Sequence, residues 1–348
     1  MMRGEWATPA LIVNELAFAA NVTAMSRALP GAKLRPHVKA FKSTALAKQL
    51  AAAGHQSFTC ATLAEMAGMI RAGLGHDLLL ANETVNVDAL SAVATLAAEH
   101  HARVTIAVDS PTTVEAAAAA GIAEVLVDVN VGLPRCGASP ERAPQVADLA
   151  RDSGMTVRGV MGYEGHLMMV EPAGDRRDKV QASMEILAAA AAAIGGDVIS
   201  AGGTGTYDIH AELGIATEVQ AGSYTLMDTD YGQLGHPFVP ALEVESTIIS
   251  VTAAPANGTG WLVADAGLKA FGMDHGNPSW NHGDVWFCSD EHITLAPHEP
   301  DRWSVGDRIR LRPAHVDPTV AKHDEMIVER SDQTHEIWPV DLRGWSIQ

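Results

Sequence analysis

Basic residues are scarce in this chain: 24 lysines and arginines stand against 42 aspartates and glutamates, a formal charge of −18 over 348 residues. A surface of that sign repels a phosphate backbone and an anionic bilayer, which argues against nucleic acid and membrane as partners. Cysteine is scarcer still. Cys60, Cys136 and Cys288 cannot all pair and show no CxxC spacing, so no disulfide framework is expected and a reducing cytosol suits the chain better. Long apolar runs are missing as well. No stretch reaches the ~20 residues that span a bilayer, the Ala-rich run 186–194 being too short, and residues 1–9 lack the cationic and apolar regions of a secretory signal. The expectation is a soluble cytoplasmic protein.

What is present is alternation. The length exceeds that at which one core usually stops growing, which predicts a large barrel with a smaller appended domain and room to enclose a cofactor. Residues 33–39, 57–60, 77–81, 103–108, 125–129, 157–163, 197–200 and 218–224 read as strands. Segments of helical spacing lie between them at 44–53, 62–72, 85–99, 142–153 and 177–194, several ended by Gly, while 208–217 is too short for a full helix. Eight βα units predict a (β/α)8 barrel over 16–235, with an open doubly wound sheet as the alternative. After Gly235 strand-like runs at 243–251, 261–265, 284–287, 292–295 and 308–311 are separated by Gly, Pro and Asn. They predict a mostly β domain over 236–348, joined by residues 1–15.

In such a barrel the chemistry collects at the C-terminal ends of the strands. Lys39 closes the first expected strand in Arg35-Pro36-His37-Val38-Lys39; it is either a surface lysine or one whose amine forms an imine with an aldehyde cofactor, with Lys42 the nearby decoy. Ala201-Gly202-Gly203-Thr204-Gly205-Thr206-Tyr207 follows the seventh strand, and Gln220-Ala221-Gly222-Ser223-Tyr224 ends the eighth. Glycines let backbone N–H groups close around phosphate oxygens and hydroxyls add donors, although a single Gly-rich turn is more often only a tight connection. Tyr163-Glu164-Gly165-His166 places a phenol, a carboxylate and an imidazole at one mouth, with His166 a base or a structural histidine. Arg135 could meet a cofactor oxygen or ring nitrogen, or a carboxylate in a solvated pair. Near the C-terminus lies His315-Val316-Asp317-Pro318-Thr319. In an extended stretch residues i and i+2 share a side, so His315 and Asp317 can grip one exchangeable cation, though an isolated HxD is usually incidental.

Together these segments resemble the D-threonine aldolase and D-serine dehydratase family, pyridoxal enzymes with an alanine-racemase-like barrel. The resemblance runs over nearly the whole chain. Its carriers are Thr8-Pro9-Ala10-Leu11, the PHxK run ending at Lys39, Cys60-Ala61-Thr62, residues 77–82, Tyr163 to His166, Gly202 to Tyr207, Gly222-Ser223-Tyr224, Asp265-Ala266-Gly267, Ser289-Asp290-Glu291-His292 and the late HxDPT. It implies Lys39 as the Schiff-base lysine for pyridoxal 5′-phosphate, Arg135, Tyr163, Gly203, Thr204, Gly205, Thr206, Gly222, Ser223 and Tyr224 around the cofactor, His315 and Asp317 on a divalent metal, and a homodimer. Dehydratases of the family tend to carry Cys where this chain has Asp317. An aspartate there points to the aldolase branch and to manganese or magnesium ahead of cobalt or zinc. Phe41 departs from the His that relatives often place between the two lysines. The expected activity is retro-aldol cleavage of D-3-hydroxy amino acids to glycine and an aldehyde, with His166 as base. A D-serine or D-3-hydroxyaspartate dehydratase is the alternative, and an amino-acid racemase or a non-catalytic pyridoxal phosphate binder a further one.

Overall fold

The computed structural model describes residues 6–253 and 260–347. Fifteen strands are present among them: β1 Ala10–Asn14, β2 Ser57–Cys60, β3 Asp77–Leu80, β4 Val104–Val108, β5 Glu124–Asp128, β6 Thr156–Gly162, β7 Val198–Ala201, β8 Glu218–Val219, β9 Leu242–Thr252, β10 Trp261–Ala264, β11 Gly283–Cys288, β12 Ile293–Pro297, β13 Arg308–Leu311, β14 Glu325–Glu329 and β15 His335–Pro339. Residues 1–5 of the segment expected to join the β domain lie outside the described residues. No helix among the described residues is long and apolar enough to cross a membrane.

The chain divides into two compact units. One comprises Met25–Lys39, Leu46–Gly222 and the C-terminal segment from Leu342. Its seven-stranded parallel sheet runs β2 to β8 in sequence order, with helices between successive strands, the alanine-racemase-like barrel. Seven strands, not eight, form it. The stretch 33–39 expected to be the first strand is not one: its backbone forms no ladder with β8 or β2, only the isolated bridges Leu34↔Val219 and His37↔Thr59. Pro36, between those bridges, has no N–H to donate and serves as an acceptor for Thr59 N–H. At Val38–Ala40 the chain coils into a 3-10 turn, so Lys39 stands on that turn. The eighth expected strand is likewise short, ending at Val219.

Strand interiors are apolar because both faces are covered. Leu79, Ala107, Leu126 and Met161, from β3 to β6, pack as one buried cluster. Reciprocal side-chain caps start two of the connecting helices. Thr62 accepts from Glu65 N–H while the Glu65 carboxylate accepts from the Thr62 N–H, and Ser110 and Thr113 make the corresponding pair ahead of Pro111. At the N-terminal ends of the strands a charge network closes the barrel floor. Buried Arg35 meets Glu218 at 2.7 Å and Asp77 at 2.9 Å, and Arg158 meets Asp77 at 2.9 Å.

The second unit runs to Ala24, takes up Ala40–Ala45 and continues over Ser223–Asp341. Its eight-stranded sheet has the order β11-β12-β10-β9-β1-β14-β15, with β13 also on β9. β9 is eleven residues long and pairs antiparallel with β1, β10 and β13. β1 enters the sheet between β9 and β14, and Trp6, Ala10, Ile12 and Ile327 form a buried cluster on it.

Candidate active site

Lys39 is half-buried, and its N–H faces His37 Nδ1 at 3.4 Å. Lys42, the decoy, adopts a left-handed backbone (φ 46°) three residues on. At the C-terminal ends of β5 and β6 the barrel unit presents an exposed group of side chains. His166 sits on the 3-10 turn Gly165–Leu167, exposed, and its ring packs against Gly132, where a Cβ would stand 3.0 Å from Nε2. The Arg135 guanidinium lies 5.1 Å over the Tyr163 ring. Asp128, at the end of β5, is buried; that burial, reinforced by Glu83, pushes its carboxyl well above the usual range. Burial and Glu83 push the Cys136 thiol up to about 12, so it carries no thiolate near neutrality.

Glu164 is not at the mouth. It is fully buried and bonds His210 Nε2 at 2.7 Å, the Thr206 hydroxyl at 2.8 Å and Gly202 N–H at 3.2 Å. Burial alone would raise its carboxyl; the His210 ring and the Thr206 donor outweigh that and hold it below its ordinary value. The Thr206 hydroxyl is thereby directed to Glu164. Within the same loop Gly203 and Gly205 are buried, and among the described residues neither N–H has a protein acceptor. Buried N–H groups are rarely left unsatisfied in a folded chain. Two adjacent to a buried Thr204 match the donor set that a phosphate requires. Gly222 ends the barrel unit.

In the second unit Ser223 and Tyr224 are buried. Burial raises the Tyr224 phenol above its ordinary value, and the Ser223 hydroxyl donates to Asp317 Oδ1 at 3.2 Å. His315 is extended, whereas Asp317 lies in the first turn of the helix Val316–Val320, so the pair is formed across a strand-to-helix turn rather than along an extended stretch. His315 Nε2 and Asp317 Oδ1 stand 4.0 Å apart, a separation that one cation between them can serve. The imidazole is held from behind. Its Nδ1 lies 2.7 Å from Asp274 Oδ2, its carbonyl accepts from the Thr319 hydroxyl, and its ring stacks on His275 at 4.1 Å. His275 Nδ1 in turn meets Asp230 at 2.8 Å. Donor atoms of Asp274, His275 and His315 all lie within 4.8 Å of one another.

Sequence reasoning missed Asp274, His275 and His210. Met273-Asp274-His275-Gly276 is a legible pair of metal-binding residue types, but its nearness to His315 depends on the Gly272↔His315 bridge, 43 positions apart in sequence.

Residues 13–230 match the family model described as alanine racemase, N-terminal domain, and residues 241–329 the one described as putative serine dehydratase domain. A D-threonine aldolase of Arthrobacter sp is 31% identical across 97% of this chain and 93% of its own length. The chain belongs to this family of pyridoxal phosphate enzymes. A 3-hydroxy-D-aspartate aldolase of Paracoccus denitrificans is 30% identical over 99% of the chain and 94% of its own length. The crystal structure of D-threonine aldolase from Filomicrobium marinum superposes with a TM-score of 0.89 at 31% identity, covering 97% of this chain and 96% of that one. These relatives are named for lyase reactions that break a carbon–carbon bond. For a family member the cofactor fits what the barrel unit offers, a half-buried lysine on the 3-10 turn Val38–Ala40 and acceptor-free N–H groups in a Gly-rich loop.

Proposed function

We propose that this chain is a D-threonine aldolase of broad side-chain tolerance, dependent on pyridoxal 5′-phosphate and a divalent cation, which cleaves D-3-hydroxy amino acids to glycine and an aldehyde. The observation that carries this reading is the donor pair His315 Nε2 and Asp317 Oδ1, 4.0 Å apart. A nitrogen and a hard carboxylate oxygen suit an exchangeable manganese or magnesium ion, with cobalt or zinc as substitutes, and leave positions open for a substrate hydroxyl. Full-length likeness to curated aldolases supports the same reaction class.

In this reading Lys39 holds the cofactor through its amine. Gly203, Thr204, Gly205, Gly222 and Ser223 surround its phosphate, with Thr206 shaping the loop, while Arg135, Tyr163 and Tyr224 line the rest. The cofactor, when bound, supplies an electron sink for the pair left at Cα. The cation, when held, lowers the pKa of the 3-hydroxyl. His166 takes the hydroxyl proton; as the C–O bond becomes a carbonyl the Cα–Cβ bond breaks, the aldehyde departs, and a proton delivered to Cα completes glycine. The enzyme is proposed to act as a cytoplasmic homodimer.

Elimination of water is the second reading, favoured by the serine dehydratase description of the model matching residues 241–329. Incubation with D-threonine separates the two. Acetaldehyde plus glycine, lost in EDTA and restored by Mn²⁺, is the expected result; 2-oxobutyrate plus ammonia, or full activity in chelator, overturns it.

A further inference from the structure

Glu164 is fully buried behind the Gly-rich loop of the barrel unit, and nothing in the reaction above uses it. Its two oxygens grip that loop at both ends. Oε2 accepts from Gly202 N–H at 3.2 Å, and Oε1 accepts from the Thr206 hydroxyl at 2.8 Å, so the three residues between are held as an arch. His210, 2% exposed, closes the far side with Nε2 at 2.7 Å from Oε1, and its own N–H caps the arch by donating to Thr206 O. The fit is tight. Gly202 takes a left-handed backbone (φ 80°), and a Cβ there would lie 2.6 Å from His210 Cδ2; one on Gly205 would lie 2.6 Å from Met168 O. The loop is therefore wedged between the His210 ring and the Met168 backbone, with the carboxylate as its keystone.

The consequence is directional. Because Gly202 N–H and the Thr206 hydroxyl are spent inward on Glu164, the N–H groups of Gly203 and Gly205 are the ones left to face an anion. A bare carboxylate behind a phosphate loop would repel a dianion; here its lone pairs are engaged by Gly202 N–H, the Thr206 hydroxyl and His210 Nε2. We infer that Glu164 and His210 form a positioning pair that sets the curvature and charge of the Gly202–Thr206 arch, and with it the preference of this site for a phosphorylated cofactor. This rests on the cofactor reading given above, and it assigns Glu164 and His210 a task without contact to substrate.

The test compares pyridoxal 5′-phosphate with pyridoxal, which shares the aldehyde and lacks the phosphate, by absorbance titration of the full-length protein. Wild type should bind the phosphorylated form far more tightly. In Glu164→Gln the amide cannot accept from all three donors, and its NH2 opposes either Gly202 N–H or His210. Affinity for pyridoxal 5′-phosphate should fall roughly 10- to 100-fold, the loss of one or two charge-assisted hydrogen bonds, while pyridoxal binding stays within about twofold. His210→Gln, which keeps a donor to the carboxylate, should show a smaller loss of the same kind and serves if Glu164→Gln does not fold. A structural defect alone would weaken both ligands together. If wild type itself does not prefer the phosphorylated form, the phosphate-loop reading fails; if wild type does and both variants keep the full preference, the positioning pair is wrong.

Discussion

At the scale of single residues, the metal donors divide into those that hold and those that orient. His315 offers Nε2 toward Asp317 because Asp274 occupies Nδ1, the arrangement by which a carboxylate fixes an imidazole's tautomer and ring orientation. Asp317→Ala should abolish both metal uptake and turnover, and Asp274→Asn should weaken metal affinity by about 10- to 100-fold with stoichiometry retained, measured calorimetrically with Mn²⁺. The opposite ranking, in which His275→Ala loses the ion and Asp317→Ala keeps it, would place the ion among Asp274, His275 and His315. The base is tested separately. His166→Asn should leave cofactor and metal content intact and lower the retro-aldol kcat by roughly 10²-fold or more, since a positioned general base contributes about that much. Near wild-type kcat would exclude His166 as the base. Lys39, Arg135, Tyr163, His166, His315 and Asp317 were each legible in sequence as a residue type at a strand exit or in a short motif. His210 was not, because its partner Glu164 lies 46 positions away and only the fold brings them to 2.7 Å.

At the scale of elements, the βα alternation was legible wherever apolar runs were bounded by Gly and by caps. The strand 57–60 and the helices starting near residues 44 and 62 sit where their spacing predicts them. The first expected barrel strand did not form and the last came out short, each for a local reason: Pro36 removes a ladder donor, and Gly222 with Ser223 leads into the 3-10 turn Ser223–Thr225. Short apolar runs read alike as strand or bridge until their hydrogen-bond partners are known. Helix starts carry a measurable share of stability. Thr62→Ala removes one half of a reciprocal cap on the helix Leu63–Arg71 and should cost about 1 kcal/mol in urea unfolding, with kcat unchanged. An unaltered midpoint would mean that Glu65 alone satisfies the helix start.

At the scale of the whole barrel unit, the two ends of the strands have separate roles. The C-terminal ends hold the exposed His166 and the Tyr163–Arg135 pair, and the N-terminal ends hold a buried charge network. Within that network burial alone would raise Asp77, but Arg158 and Arg35 prevail and bring its carboxyl from 3.8 down to about 2. A depressed carboxyl stabilises the fold fully above its unfolded pKa and loses that contribution as pH falls through the folded one. Between about pH 4 and pH 2 the wild type should therefore lose roughly 1–2 kcal/mol that Asp77→Asn, already lacking it, does not lose. Parallel pH profiles of the two unfolding free energies would exclude Asp77 as an acid-sensitive tie.

Composition and βα periodicity by themselves determined the parallel βα unit followed by a β domain, and the resemblance carried by short motifs pointed to the family, because those signals are local and survive without knowledge of what lies across the fold. Only the tertiary structure decided that Glu164 turns inward, that Asp274 and His275 gather at His315, and that the Gly203 and Gly205 N–H groups are left for an anion. Each of those depends on a contact between segments distant in sequence, and a side chain's partner is set by packing rather than by its neighbours in the chain.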